Sequence, residues 1–269
     1  ENIAGQYLDK DNNFQVLGGV NATSMETGTS LYFPGTEDAY AVSRTTRSVT
    51  KTSFTVDMMV QTEDEVENGQ LFTIYDENNN TANVTFGIAK NKANERVLYA
   101  TIDGITYYSQ PLPATLRNFQ RVALEYELTE EGAVVSFREN TVHLSEDISM
   151  RVTAETTNTA KRGLIVLGNE FKGRMMEVRL WNKIMNADEY GNTQAVRLTG
   201  YERGLLAYWP MNEGGTAKVS SDKAHGNHLD LNGLSWQMPE GCSLRFTAEN
   251  AKDSVVLNDK FVSNNSASD

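Results

Sequence analysis

The sequence predicts an all-β protein: two antiparallel sheets packed face to face as a jelly-roll sandwich, with one short helix after the strand at residues 175–182. Three observations carry this prediction. Apolar and polar residues alternate with period two along most of the chain, the pattern of strands with one face on a core and one on water. Clusters of Asp, Asn and Gly punctuate these runs at intervals of roughly 10–15 residues. No ten-residue helical stretch separates successive strands, which argues against a parallel βαβ sheet.

Each element follows from its own residues. Phe54–Gln61 places Phe, Val, Met and Val on one face. Leu71–Tyr75, Val84–Ile88 and Arg96–Ile102 are further strands, rich in β-branched and aromatic residues. Val122–Leu128 alternates with charge on the opposite face, and Val134–Phe137 follows after Glu130-Glu131-Gly132. Asp76–Asn80 and Asp103-Gly104 are turn signals between strands. After the strand Met176–Trp181, Asn186-Ala187-Asp188-Glu189 opens a helix. An Asn cap with Glu three positions later satisfies two orphan amides reciprocally.

Composition narrows the function. The 269 residues carry 24 Lys and Arg against 36 Asp and Glu, a net charge of -12. Phosphate recognition rests on clustered cations, so nucleic acid and anionic lipid are poor partners for this chain. No apolar run approaches the roughly 18 residues of a membrane helix, so no membrane insertion is expected within it. Glu1–Ala4 has no basic or apolar leader character, and a leader is expected to be absent or already removed. The single cysteine, Cys242, forms no internal disulfide.

The end of the chain echoes its start. Ser30-Leu31-Tyr32-Phe33 leads into Asp38-Ala39-Tyr40-Ala41-Val42, and Ser243-Leu244-Arg245-Phe246 leads into Asp253-Ser254-Val255-Val256. Upstream, Gly5–Asp9 matches Gly226–Asp230 in the same order. Residues 1–203 are read as one sandwich. Residues 204–269 are then either the opening of a second repeat or the closing strands of the first.

Four stretches together resemble the laminin-G-like branch of the concanavalin A-like superfamily. They are Ser30–Val42, Gly173–Asn182, the Met185–Glu189 helix start and Gly204–Gly214, with Asp222–Asn227 resembling the turn that follows. The resemblance implies a sandwich that binds glycans or cell-surface proteins outside the cell, typically in bacterial or animal surface proteins built from repeats. It also implies a structural calcium near Gly35, Glu37 and Asp38. The position that should supply a further Asp is Met176, read as sharing a core face with Val178 and Leu180, while Glu177 faces the other way.

Sugar recognition calls for exposed aromatic faces, and Trp181, Trp236, Tyr107 and Tyr108 are the candidates. Trp181 alternates onto the face opposite Val178 and Leu180; for it and Trp236 an open stacking face and a ring that covers a sheet edge or fills the sandwich are both consistent with the residues. Trp209, among apolar neighbours, is assigned to the core. Catalytic residues are not expected. The acidic run Glu63-Asp64-Glu65-Val66-Glu67 lies in a turn, and the three histidines flank no nucleophile. Zinc is excluded by one Cys and three scattered His. The expected function is a non-catalytic carbohydrate- or protein-binding module of a repeat protein, extracellular or at a bacterial cell surface, its partners a glycan or a surface protein and other repeats of the same polypeptide. A structural spacer and a divergent glycoside hydrolase are the alternatives.

Overall fold

In the computed structural model, the described residues are 6–8, 14–16 and 29–237, apart from 50–51, 64–68, 77, 79–80, 113–115, 117–118, 145–148, 151–161 and 194–195. Residues 243–256 of the echo, Cys242 and most of the acidic run after Glu63 lie outside them. Among the described residues there are nineteen strands and one helix. A hairpin pairs β1 (Gln6–Leu8) with β2 (Phe14–Val16). Then come β3 (Ser30–Pro34), β4 (Tyr40–Ser43), β5 (Phe54–Thr62), β6 (Gly69–Tyr75), β7 (Ala82–Lys90), β8 (Arg96–Ile102) and β9 (Ile105–Pro111). They are followed by β10 (Gln120–Thr129), β11 (Gly132–Glu139), β12 (Val142–His143), β13 (Ser149–Met150), β14 (Ile165–Leu167) and β15 (Lys172–Trp181). Helix α1 (Ala187–Thr193) precedes β16 (Leu205–Trp209), β17 (Val219–Ser220), β18 (Leu229–Asn232) and β19 (Ser235–Gln237).

These strands make two large antiparallel sheets. The first runs β12-β11-β10-β5-β15-β3-β19, with β13 on β11 and β16 on β15. The second runs β17-β18-β4-β14-β6-β7-β8-β9. Residues 205–237 contribute strands to both: β16 and β19 to the first sheet, β17 and β18 to the second.

The core lies between the sheets. From the first come Phe54, Val56, Met58, Val122, Leu124 and Phe137; from the second Phe72, Ile74, Val84, Phe86, Leu98 and Ala100, all buried. Phe86 and Phe137 meet across the layers with ring centroids 6.4 Å apart. Within the first sheet, Phe54 stacks on its cross-strand neighbour Tyr126 at 5.2 Å. Trp209 is fully buried, its indole N–H donating to the Asn227 carbonyl at 2.9 Å.

The helix begins as its cap residues dictate. Asn186 Oδ1 accepts the Glu189 amide at 2.9 Å, and Glu189 Oε2 accepts the Asn186 amide at 3.2 Å.

One strand departs from simple alternation. In β15 the pairing with β5 shifts between Met176, opposite Met59, and Arg179, opposite Asp57. Glu177 takes a left-handed φ of 53° at this bulge. Alternation is therefore broken: Met175 sits opposite Val60 on the core side, and Leu180 opposite Val56 on the same side. Met176 is buried, but the extra residue puts it on the other side of the sheet from Val178 and Leu180. This corrects the reading that the three share one face.

A candidate sugar groove on the second sheet

The two outer faces differ, and the aromatic candidates divide between them. On the first sheet, Asp57, Arg121, Ala123, Glu125, Arg179 and Trp181 point away from the core, in the register of β5, β10 and β15. They do not reach solvent. Met185, Tyr190 and Leu198, from α1 and its flanking segments, pack over this face in one apolar cluster with Trp181 of β15 and Leu205 and Tyr208 of β16. Trp181 is 2% exposed and donates its indole N–H to Asp57 Oδ2 at 2.8 Å. It faces away from the core, as its alternation predicts, and the helix segment covers it. No sugar ring can stack there.

The charges under this cover are paired. Arg121 bonds Asp57, and Arg179 donates to Glu177 Oε2 at 3.1 Å. Arg197 reaches Glu177 Oε1 at 3.3 Å, and the Tyr208 hydroxyl donates to Glu177 Oε2 at 2.8 Å. Burial, and then Glu177 beside it, holds the Tyr208 hydroxyl protonated, well above the usual phenol range. Glu125 sits near Arg138 Nε at 2.9 Å, and burial pushes its carboxyl up despite that partner.

Trp236 on β19 is half-buried against the core, and its N–H is taken by the Ala217 carbonyl at 2.8 Å. Tyr107 pairs with Ala100 and so faces inward at the edge of the core. Tyr108 pairs with Tyr99 on the outer face and is 52% exposed. Of the four aromatic candidates, Tyr108 alone offers an open face.

On the second sheet, sequence reasoning missed the main feature. A groove of about 520 Å³ is lined by Glu37, Tyr40, Val42, Thr46, Tyr75, Asp76, Leu164, Val166 and Asn169. Val42 and Val166 are cross-strand partners and share its floor. Tyr40 lies two residues along β4 from Val42, and Tyr75 ends β6. The Arg162 guanidinium touches the rim by donating to the Thr46 hydroxyl at 3.2 Å. Asp76 is buried and fixed by accepting the Asn78 amide at 2.8 Å. Glu37 is exposed. A groove of this size with an apolar floor, two aromatic walls and several polar groups matches the usual make-up of a small-molecule site. No short motif marks it, because β4, β6 and β14 meet there from three distant parts of the chain.

The proposed calcium turn sits at one end of this groove. Gly35 takes φ 83°, and Lys172 packs against it. Asp38 Oδ1 accepts the Thr36 hydroxyl at 2.6 Å on an exposed turn. Among the described residues no group of three or more His, Cys, Asp or Glu is placed to hold a metal ion. Calcium takes six to eight oxygens, so Glu37 and Asp38 would need backbone carbonyls to complete a set. The Asp222–Asn227 turn is an internal device. Asp222 accepts the amides of Tyr208, Ala224, His225 and Asn227 at 2.8–3.2 Å. His225 and His228 are engaged with Leu205 and Asp222 in the same turn.

No family model matches the chain, and no curated protein matches its sequence. Solved structures do match its fold. One is a Bacteroides ovatus protein for which carbohydrate binding is proposed: 15% identity, TM-score 0.58, covering 80% of this chain and 61% of that one. Another is the native heptameric SAP-like pentraxin of Limulus polyphemus: 13% identity, TM-score 0.57, covering 80% and 97%. At these identities the likeness establishes the two-sheet sandwich. No helix among the described residues is long and apolar enough to cross a membrane.

Proposed function

We propose that this chain is a non-catalytic carbohydrate-binding module of a larger extracellular or cell-surface protein, with the groove on the second sheet as its sugar site. The observation that carries this reading is the lining of that groove. Tyr40 and Tyr75 offer ring surfaces, Val42, Val166 and Leu164 a dry floor, and Glu37, Asp76, Asn169 and Thr46 polar groups for hydroxyls. A pyranose has apolar C–H faces and a polar rim, and it needs both kinds of contact together. The fold shared with the Bacteroides ovatus protein, for which carbohydrate binding is proposed, supports the same reading.

Glycan arrays followed by calorimetry test it. At least one oligosaccharide class should bind, and Tyr40→Ala should weaken that binding about tenfold while leaving the melting temperature in place. Silence across the arrays would favour a spacer or a protein-binding role instead.

Hydrolysis is the second reading, because Glu37 and Asp76 line one groove and glycosidases work with two carboxylates. Release of reducing sugar by the purified protein, lost in Glu37→Gln, would establish it.

A further inference from the structure

We propose that copies of this chain associate head to tail, the Tyr201 ring of one copy entering the groove on the second sheet of the next. The proposal goes beyond sugar binding and does not depend on it. The projecting element is the turn at residues 199–204, just before β16. Glu202 turns its carboxylate inward, accepting the Thr199 amide at 2.8 Å, the Gly200 amide at 2.9 Å and the Thr199 hydroxyl at 2.9 Å. Gly200 takes φ 97°, and a Cβ there would collide with the Lys223 carbonyl. Gly204 takes φ 87° against Asn182 and Lys183. This braced turn projects Tyr201, which at 89% is the most exposed large apolar side chain of the described residues. A ring already held in place loses little freedom when a partner buries it, which is why rigid tyrosines serve as interface anchors.

The charges beside the ring set what it can meet. Arg203 and Lys223 are exposed, and among the described residues neither side chain has an ion pair or hydrogen bond. The carboxylates of the same turns, Glu202 and Asp222, face inward onto backbone amides. A positive rim thus flanks the ring on a chain of net charge -12. A projecting ring needs a concave partner, which neither a sugar nor an extended peptide supplies. This chain carries one. The groove has a floor of Val42, Val166 and Leu164 between Tyr40 and Tyr75, and its volume of about 520 Å³ admits a phenol ring. Glu37 lines it where β4 begins, and Asp38 and Glu170 are exposed on the two adjoining turns. Lys172 beside Gly35 joins those turns and is itself paired with Glu63 at 2.8 Å. Arg162 stands at the other end, on Thr46. The groove is therefore acidic at one end and basic at the other, and one orientation alone brings Arg203 and Lys223 onto carboxylates. Because Tyr201 is exposed, it does not occupy the groove of its own copy. The contact is heterologous and joins copies into chains or rings.

Sedimentation velocity of the full chain tests this, over concentrations from about 10 to about 500 μM. At about 150 mM salt the Debye length of about 8 Å screens the repulsion between like-charged copies and spares contact pairs. The weight-average sedimentation coefficient should rise with concentration and pass the value of a dimer. Tyr201→Ala should weaken association about tenfold, as should Arg203→Glu and Glu37→Arg, each alone. An equimolar mixture of the Arg203→Glu and Glu37→Arg chains should associate like the wild type, because every contact then joins unlike charges again. That recovery also shows that neither variant has lost its fold. A chain that stays monomeric to the top of the range, association untouched by Tyr201→Ala, or a mixture as weak as its parts overturns the proposal. Failure of sugar binding leaves it standing.

Discussion

The outer face of the first sheet is sealed and that of the second is open, although the same alternation builds both. On the first, the outward residues include two arginines, Asp57, Glu125 and Trp181, and the α1 segment covers them. On the second, Tyr40, Val42 and Val166 face outward and a groove opens over them. Charges taken out of water cost several kcal/mol each unless their partners are already in place. The sealed face meets that condition with an interlocked set: Arg121 on Asp57, and Arg179, Arg197 and Tyr208 on Glu177. The open face carries an exposed pair, Arg44 on Asp230 at 2.7 Å, and among the described residues no ion pair or hydrogen bond engages Glu37. Polar residues thus hold the covered face together on one side, while on the other Glu37 stands exposed to solvent.

Removing a charge from the sealed face should have the largest effect. Glu177→Ala strands Arg179 and the Tyr208 hydroxyl and should cost about 3–5 kcal/mol in urea unfolding. A loss under 1 kcal/mol would mean that water reaches this face.

The two sequence-nominated aromatics sharpen the contrast. Trp181→Ala should cost about 3–5 kcal/mol through the cavity it leaves, whereas Tyr108→Ala should stay within about 0.5 kcal/mol. Equal losses would dissolve the distinction between the faces. Next in size is the cover itself. Asn186→Ala removes the helix cap and should cost about 1 kcal/mol, read as earlier hydrogen exchange of the α1 amides.

The smallest effect concerns pH. Burial raises the Glu125 carboxyl above its unfolded value, so the native state holds that proton more tightly. Stability should then fall as pH rises from the ordinary glutamate range through the raised value, and level off above it. Glu125→Gln should abolish that slope in urea midpoints measured across the acidic range. A slope kept by the variant would assign it to another group.

Much of this arrangement is legible in the residues. β8 begins and ends where Arg96–Ile102 places it, β5 and β10 extend their runs by one or two residues, and the Asn186–Glu189 box opens α1. Period two and capping are local properties, so the sequence by itself determined the strands, the two-layer class, the helix start and the buried place of Trp209. Three features depend on contacts between distant segments. The bulge at Glu177 reverses the parity of β15, because one left-handed residue shifts every side chain beyond it. The α1 segment buries Trp181, because alternation fixes which way a side chain points and not what lies over it. The groove joins Tyr40, Tyr75 and Val166 across distant strands, because register between β4, β14 and β6 is a long-range pairing that no short window of residues encodes.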